Sequence, residues 1–202
     1  VVDGKPTIQN TDNYMMLVNK EYYLPAGYIP KDLVRADVEY SFGDEIVEKA
    51  LMRKDAAAAL EEMFQAAAAE GIELFAVSGY RSYSRQEAVF NNEVAQKGNE
   101  AAMEAVALPG QSEHQTGLTM DISSRSVNLE LTQDYELTDE GRWLAENAHK
   151  YGFILRYPKG KEEITGYKFE PWHFRFVGKT YSKIIYDKNL TLEEYFELVK
   201  EV

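Results

Sequence analysis

The spacing of apolar positions changes several times along the 202-residue chain, and each change marks an element. Residues 1–43 carry turn formers, tyrosines and one apolar stretch, Tyr14 to Val18. Then comes Leu24-Pro25-Ala26-Gly27-Tyr28-Ile29-Pro30, whose prolines keep it out of a helix. This reads as an extended N-terminal arm packed on a core formed by residues 44–202. From Ile46 to Glu70 an alanine-rich run with Leu51, Leu60, Met63 and Phe64 has helical composition, and Gly71 supplies its C-terminal cap. The unbroken apolar stretch Ile72 to Val77 reads as a buried strand that delivers Ser78-Gly79-Tyr80-Arg81 to a loop at its end.

Ser84 with Glu87 three residues on predicts a capping box for a helix to Lys97, closed by Gly98. Asn99 to Ala107 continues as a second helical piece until Pro109-Gly110 stops it. Thr138 predicts the cap of a helix over 139–150, and Thr191 with Glu194 caps a terminal helix. Leu118 to Ile122 alternates like a strand. Phe153 to Tyr157 and Tyr167 to Val177 have the aromatic and β-branched content of two more, joined by a turn at Pro158-Lys159-Gly160-Lys161. Helices and strands are segregated rather than alternating, so the fold class is α+β.

Composition narrows the function. A hydrophobic content of 45% supports one sizeable core. The formal net charge of −12 repels phosphate backbones, which argues against nucleic acid as a partner. No apolar run is long enough to span a bilayer, and no basic-then-apolar leader opens the chain. Because it starts at Val1, an export signal or anchor is expected to have preceded it. The absence of cysteine excludes disulfides, thiolate ligands and thiol nucleophiles, leaving nitrogen and oxygen donors for any metal.

Two of the three histidines stand in polar, turn-punctuated settings unlike core positions. In Ser112-Glu113-His114-Gln115-Thr116-Gly117-Leu118-Thr119-Met120-Asp121, a loop presents His114, Gly117 permits a tight turn, and the strand returns Asp121 toward the same point. In Phe169-Glu170-Pro171-Trp172-His173-Phe174, Pro171 forbids a helix interior and favours an extended presentation of Glu170 and His173. Two imidazoles and one carboxylate leave a fourth tetrahedral position open for water, as a catalytic zinc requires, with Glu170 as base. Spacing alone leaves Glu113 open as the carboxylate ligand in place of Asp121. His149 lies near the end of a predicted helix, where a capping role suffices.

The ordered set Ser78-Gly79-Tyr80-Arg81-Ser82, Ser112-Glu113-His114 with Gly117 and Asp121, and Glu170-Pro171-Trp172-His173 resembles the D-alanyl-D-alanine carboxypeptidases, the zinc peptidases that include VanY-type enzymes and L,D-carboxypeptidases. The resemblance implies an α+β fold with a central antiparallel sheet and flanking helices, shared with the amino-terminal domain of hedgehog proteins. It implies zinc held by His114, Asp121 and His173, and Glu170 as general base. It also implies a pocket in which Arg81 clamps the substrate's terminal carboxylate, Ser112 and Gln86 line the site, Tyr157 supports the oxyanion and Trp172 forms a wall. The substrate would be a peptidoglycan stem peptide, the product D-alanine, the place of action outside the cytoplasmic membrane, and the working form a monomer. An L,D bond in a tetrapeptide is favoured slightly over a D,D bond in a pentapeptide. Two alternatives stay open: a cell-wall binding module that keeps zinc for structure, and an endopeptidase that cuts cross-links.

Overall fold

The structure, a computed structural model, describes residues 1–200, so the last two positions of the segment read as the core lie outside it. Two short strands precede the first helix. β1 (Leu33–Arg35) and β2 (Leu51–Arg53) pair antiparallel with Val34 opposite Met52. This pairing corrects the helix expected from Ile46. Ile46 is 98% exposed, Met52 is fully buried in the two-stranded ribbon, and α1 runs only over Lys54–Ala69. Its Ala56, Leu60, Met63 and Ala67 follow helical spacing and are all at 0% exposure. Gly71, at φ +78°, takes the left-handed turn that ends it.

β3 (Phe75–Ser78) follows, then α2 (Tyr83–Lys97) and α3 (Asn99–Ala105), which meet at Gly98. Ser82 caps α2 by accepting from the Arg85 N–H. The reciprocal Ser84–Glu87 box expected from sequence is replaced by this one-way cap two residues earlier, because Arg85 has no acceptor to return. β4 (Thr119–Ser123) precedes α4 (Asp139–Asn147), which Thr138 caps as expected through the Gly141 N–H. A 3-10 turn over Ala148–Tyr151 replaces the last turn expected of that helix.

β5 (Phe153–Leu155) and β6 (His173–Phe176) pair antiparallel, but they are shorter than the expected strands. A one-turn helix, α5 (Glu162–Thr165), stands between them in place of a simple hairpin. α6 (Lys179–Asp187) and α7 (Leu192–Lys200) complete the described chain. Thr191 and Glu194 satisfy each other's N–H groups at 3.0 Å each, the reciprocal capping box expected there.

Four strands form the antiparallel sheet of an α+β fold, in the order β3-β4-β6-β5. Because side chains alternate across a sheet, its two faces have opposite chemistry. Met120, Ile122 and Phe174 point to the face packed against α1 and join Leu60 and Met63 in the main core. The other face carries Thr119 and Asp121 from β4 and their cross-strand partners Arg175 and His173 from β6. Ser78 on β3 pairs with Asp121, so one row of the sheet runs Ser78, Asp121, His173. That row positions the site.

Candidate active site

His114 sits on a 3-10 turn, Glu113–Thr116, that enters the sheet through Gly117 at φ +70°. Ser112 caps the turn, its hydroxyl accepting from the His114 N–H. The strand-end loop holds the imidazole from the other side: His114 Nδ1 lies 2.7 Å from the Gly79 carbonyl, and the Arg81 N–H donates to the His114 carbonyl. Nδ1 is thus the N–H nitrogen, and Nε2 is free to act as a ligand. The loop can come this close because residue 79 lacks a side chain. A Cβ there would meet the Leu51 carbonyl oxygen at 2.6 Å.

Asp121 and His173 face each other across the β4–β6 ladder. His114 Nε2 stands 3.3 Å from Asp121 Oδ2, and His173 Nδ1 stands 3.3 Å from Asp121 Oδ1. One ligand atom from each of His114, Asp121 and His173 can be chosen so that all lie within 4.8 Å of one another, and the three residues are buried. Zinc bonds of about 2.0–2.1 Å at tetrahedral angles separate ligand atoms by about 3.3–3.4 Å, and each imidazole stands at that spacing from one of the two Asp121 oxygens. Asp121 Oδ1 is buried and accepts no well-formed hydrogen bond among the described residues. The neighbouring His173 Nδ1 offers a lone pair to the same point once the ring is neutral, because the N–H of the other ring nitrogen is engaged elsewhere. Lone pairs converging on one point in a buried setting fit a cation.

That engagement is with Glu113. Its Oε1 lies 3.1 Å from His173 Nε2, which fixes Nδ1 as the nitrogen facing Asp121. Glu113 therefore does not supply the ligand oxygen that spacing alone left open to it; it is turned to the back of His173. Burial by itself would raise the Glu113 carboxyl, but Arg156 and Arg175, each 2.7 Å from Oε2, hold it well below the usual carboxylate range. Burial likewise opposes ionisation of Asp121, and the two imidazoles outweigh it and keep Asp121 a carboxylate. Burial pushes His114 down, against the pull of Asp121. His173 goes the other way: burial is overcome by Asp121 and Glu113, which raise it to about 9. A metal must displace that proton to bind.

Glu170 precedes a turn that returns the chain into β6, with the His173 N–H donating to its carbonyl at 3.3 Å. Its Oε1 lies 3.6 Å from His173 Nδ1. Burial raises its carboxyl to about 7, helped by the negative charge of Asp121 and Glu113 and opposed by His173. A carboxyl poised near neutrality beside a cluster that could hold a metal is suited to moving a proton.

A cavity of about 250 Å3 opens on these groups and brings the expected pocket residues together: Arg81, Gln86, Ser112, Tyr157 and Trp172 all line it. Arg81 donates through Nη1 to Gln86 Oε1 at 2.9 Å and through Nη2 to Ser78 Oγ at 3.4 Å. Gln86, itself 1% exposed, is anchored by donation to the Ala107 carbonyl. Gln86 therefore orients the arginine, a link the sequence did not disclose. The Tyr157 ring packs on His173, centroids 4.6 Å apart. Burial lifts its hydroxyl well above the usual range, so it remains a donor. Tyr167, missed at the sequence level, also lines the cavity with a buried hydroxyl that has no partner. As one aromatic in a strand-like run, it carried no distinguishing signal. His149 stands apart from the cluster, stacked on Tyr186 at 3.6 Å.

Residues 49–179 match the VanY family of D-alanyl-D-alanine carboxypeptidases. The Bacillus subtilis (strain 168) protein YodJ, named as a carboxypeptidase, is 60% identical over all of this chain, which spans 73% of its length. A solved LdcB LD-carboxypeptidase superposes with a TM-score of 0.94 at 60% identity, covering 98% of this chain and 92% of that one. A variant of a VanY D,D-pentapeptidase from a VanB-type vancomycin resistance cassette, solved with Zn(II), gives a TM-score of 0.71 at 36% identity. It covers 91% of this chain and 98% of its own. A motif order legible in the sequence, a sheet row that assembles it and these likenesses all lead to the same assignment: the chain belongs to the VanY D-alanyl-D-alanine carboxypeptidase family.

Proposed function

We propose that this chain is a zinc-dependent carboxypeptidase that releases the C-terminal D-alanine of peptidoglycan stem peptides, acting as a monomer on the outer side of the cytoplasmic membrane. No described helix is long and apolar enough to cross a membrane. The observation that carries the reading is one cavity lined by three potential metal ligands, a carboxyl raised to about 7 and a half-buried arginine. Zinc, when held by His114 Nε2, Asp121 and His173 Nδ1, supplies a Lewis acid for the scissile carbonyl and lowers the pKa of the attacking water.

The protein's own groups do the rest. Glu170 accepts the proton of the water and returns it to the departing amine, so no covalent intermediate is needed. Arg81 meets the terminal carboxylate with its planar fork, steered by Gln86 and Ser78. Ser112 accepts from the His114 N–H, which leaves its own hydroxyl hydrogen for the substrate. Tyr157, kept protonated by burial, donates to the developing oxyanion, and Trp172 walls the cavity.

Identity of 60% to the LD-carboxypeptidase against 36% to the D,D-enzyme favours the L,D bond of a tetrapeptide. A half-buried arginine lining the cavity argues against an endopeptidase, whose substrate would bring no terminal carboxylate to match its charge. Incubation with synthetic stem tetrapeptide and pentapeptide, with and without chelator, tests the proposal by product mass. Chelator-sensitive loss of one alanine from the tetrapeptide is expected. Loss from the pentapeptide alone reverses the bond preference, and cleavage of neither favours a binding module.

A further inference from the structure

The hydrogen bonds behind His173 continue away from the cavity through three ionised groups that are almost wholly sealed from water. Glu113 is 1% exposed and Arg156 and Arg175 are both at 0%. Sealing charges in this way costs more than most ion pairs return, and an apolar replacement of similar volume is often as stable or more so. Stability alone is a poor reason for such an arrangement. Its connections suggest another.

Glu113 Oε1 takes His173 Nε2, while Oε2 takes Arg156 Nε and Arg175 Nη1 at 2.7 Å each. The two arginines then reach the ends of the chain. Arg175 Nη2 donates to the Tyr14 and Met16 carbonyls at 2.7 and 2.8 Å, and Arg156 Nη2 to the Val18 carbonyl at 3.4 Å. The acceptors fall at every second residue, the first in a turn that the Met16 N–H closes on the Asn13 carbonyl and the others in the irregular chain after it. Arg156 also grips Glu193 of α7 through two bonds, 2.7 and 2.8 Å, and Glu193 accepts from Asn19 at the end of the same segment.

We propose that Glu113 is a positioning residue for the metal site, and that Arg156 and Arg175 make residues 14–19 and α7 part of that site, so that docking of the arm and binding of the metal favour one another. The proposal rests on the reading that His114, Asp121 and His173 bind zinc. Glu113 fixes the ring nitrogen and ring plane that His173 offers. Its own position is set by two guanidinium groups, which also donate three hydrogen bonds to carbonyls of the seated arm. Partners behind ligating imidazoles commonly change metal affinity by about 10–100-fold, and coupling between the arm and the metal is necessarily reciprocal.

The test measures zinc affinity by chelator competition in the wild type, Glu113→Gln, Glu193→Gln and His114→Ala, all at a temperature where circular dichroism shows them folded. Glu113→Gln keeps an acceptor for His173 but removes the charge between the arginines, and Kd is expected to rise about 10–100-fold with an altered Co(II) absorption spectrum. Should that variant not fold, Glu193→Gln, remote from the cavity, still decides the matter. Its Kd is expected to rise several-fold, and zinc should slow amide hydrogen exchange at residues 14–19 in the wild type but not in it. Unchanged Kd and unchanged exchange in a folded Glu193→Gln protein overturn the proposal while leaving the zinc reading intact. No zinc binding by the wild type, or wild-type affinity in His114→Ala, overturns the zinc reading and the proposal with it.

Discussion

Glu170→Gln should both slow catalysis and stabilise the metal-free protein, and the second effect can be worked out from the structure. In the folded chain the Glu170 carboxyl is raised from an ordinary 4.5 to about 7, chiefly by burial, with Asp121 and Glu113 adding to it. A carboxyl with a higher pKa folded than unfolded binds its proton more tightly in the native state. Its contribution to stability is therefore complete below about 4.5 and is lost as pH rises through about 7. Above that range the folded protein holds an ionised carboxylate that the unfolded chain would solvate better, a penalty of up to about 3 kcal/mol at 1.36 kcal/mol per pH unit. Glutamine occupies the same volume and never ionises. Urea unfolding in the presence of chelator, repeated from pH 4.5 to 8.5, should give curves for the two proteins that nearly coincide at the acid end. They should separate in favour of Glu170→Gln on the alkaline side, by up to about 3 kcal/mol. With zinc restored, the variant should lose about 10²–10⁴ in kcat, the usual share of a general base. A stability difference that does not change with pH, or one that favours the wild type above pH 7, would refute the assignment of a strained, desolvated base.

Three further outcomes follow from the geometry. Arg81→Ala should lower kcat/KM on peptides with a free C-terminal carboxylate by about 10–150-fold, the worth of a charged hydrogen bond of 1.5–3 kcal/mol, and should change little on C-terminally amidated peptides. The kcat/KM profile should fall on the acid side as Glu170 takes up a proton, with a midpoint at or below about 7, because a bound cation favours the carboxylate. Gly79→Ala should cost on the order of 1–3 kcal/mol in urea unfolding and weaken zinc binding, since the added methyl meets the Leu51 carbonyl at 2.6 Å and displaces the carbonyl that holds His114.

The parts of the fold that depend on near neighbours were legible. Thr191 with Glu194 and Thr138 with Gly141 cap their helices through groups three residues apart, and the sequence displays both partners at once. The start of α1 was not legible, because what removes Leu51–Arg53 from the helix is a strand at Leu33–Arg35 with no sequence mark of its own. Composition favours helix through the whole alanine-rich run, and tertiary pairing overrides it at one end. The one-turn helix between β5 and β6 escaped for a similar reason: aromatic content suggested strand across Tyr167 to Phe169, yet those residues stay outside the ladder and Tyr167 lines the cavity.

The same division runs through the site. His114, Asp121, Glu170 and His173 stood out because glycine and proline punctuate the segments that carry them, and because so few histidines are present. Glu113 was visible only as a competing ligand, since spacing cannot show which way a carboxylate turns. Arg156 and Arg175 gave no signal, because an arginine in a strand ordinarily marks the solvent face. Here that face is covered by residues 14–18, more than 130 positions earlier in the chain, whose carbonyls replace the water that the guanidinium groups would otherwise bind. A polar sheet face roofed by backbone lets β4 and β6 keep Thr119, Asp121, His173 and Arg175 buried together on one side. Which side is roofed is decided by where the arm lies, a long-range choice that no local pattern encodes.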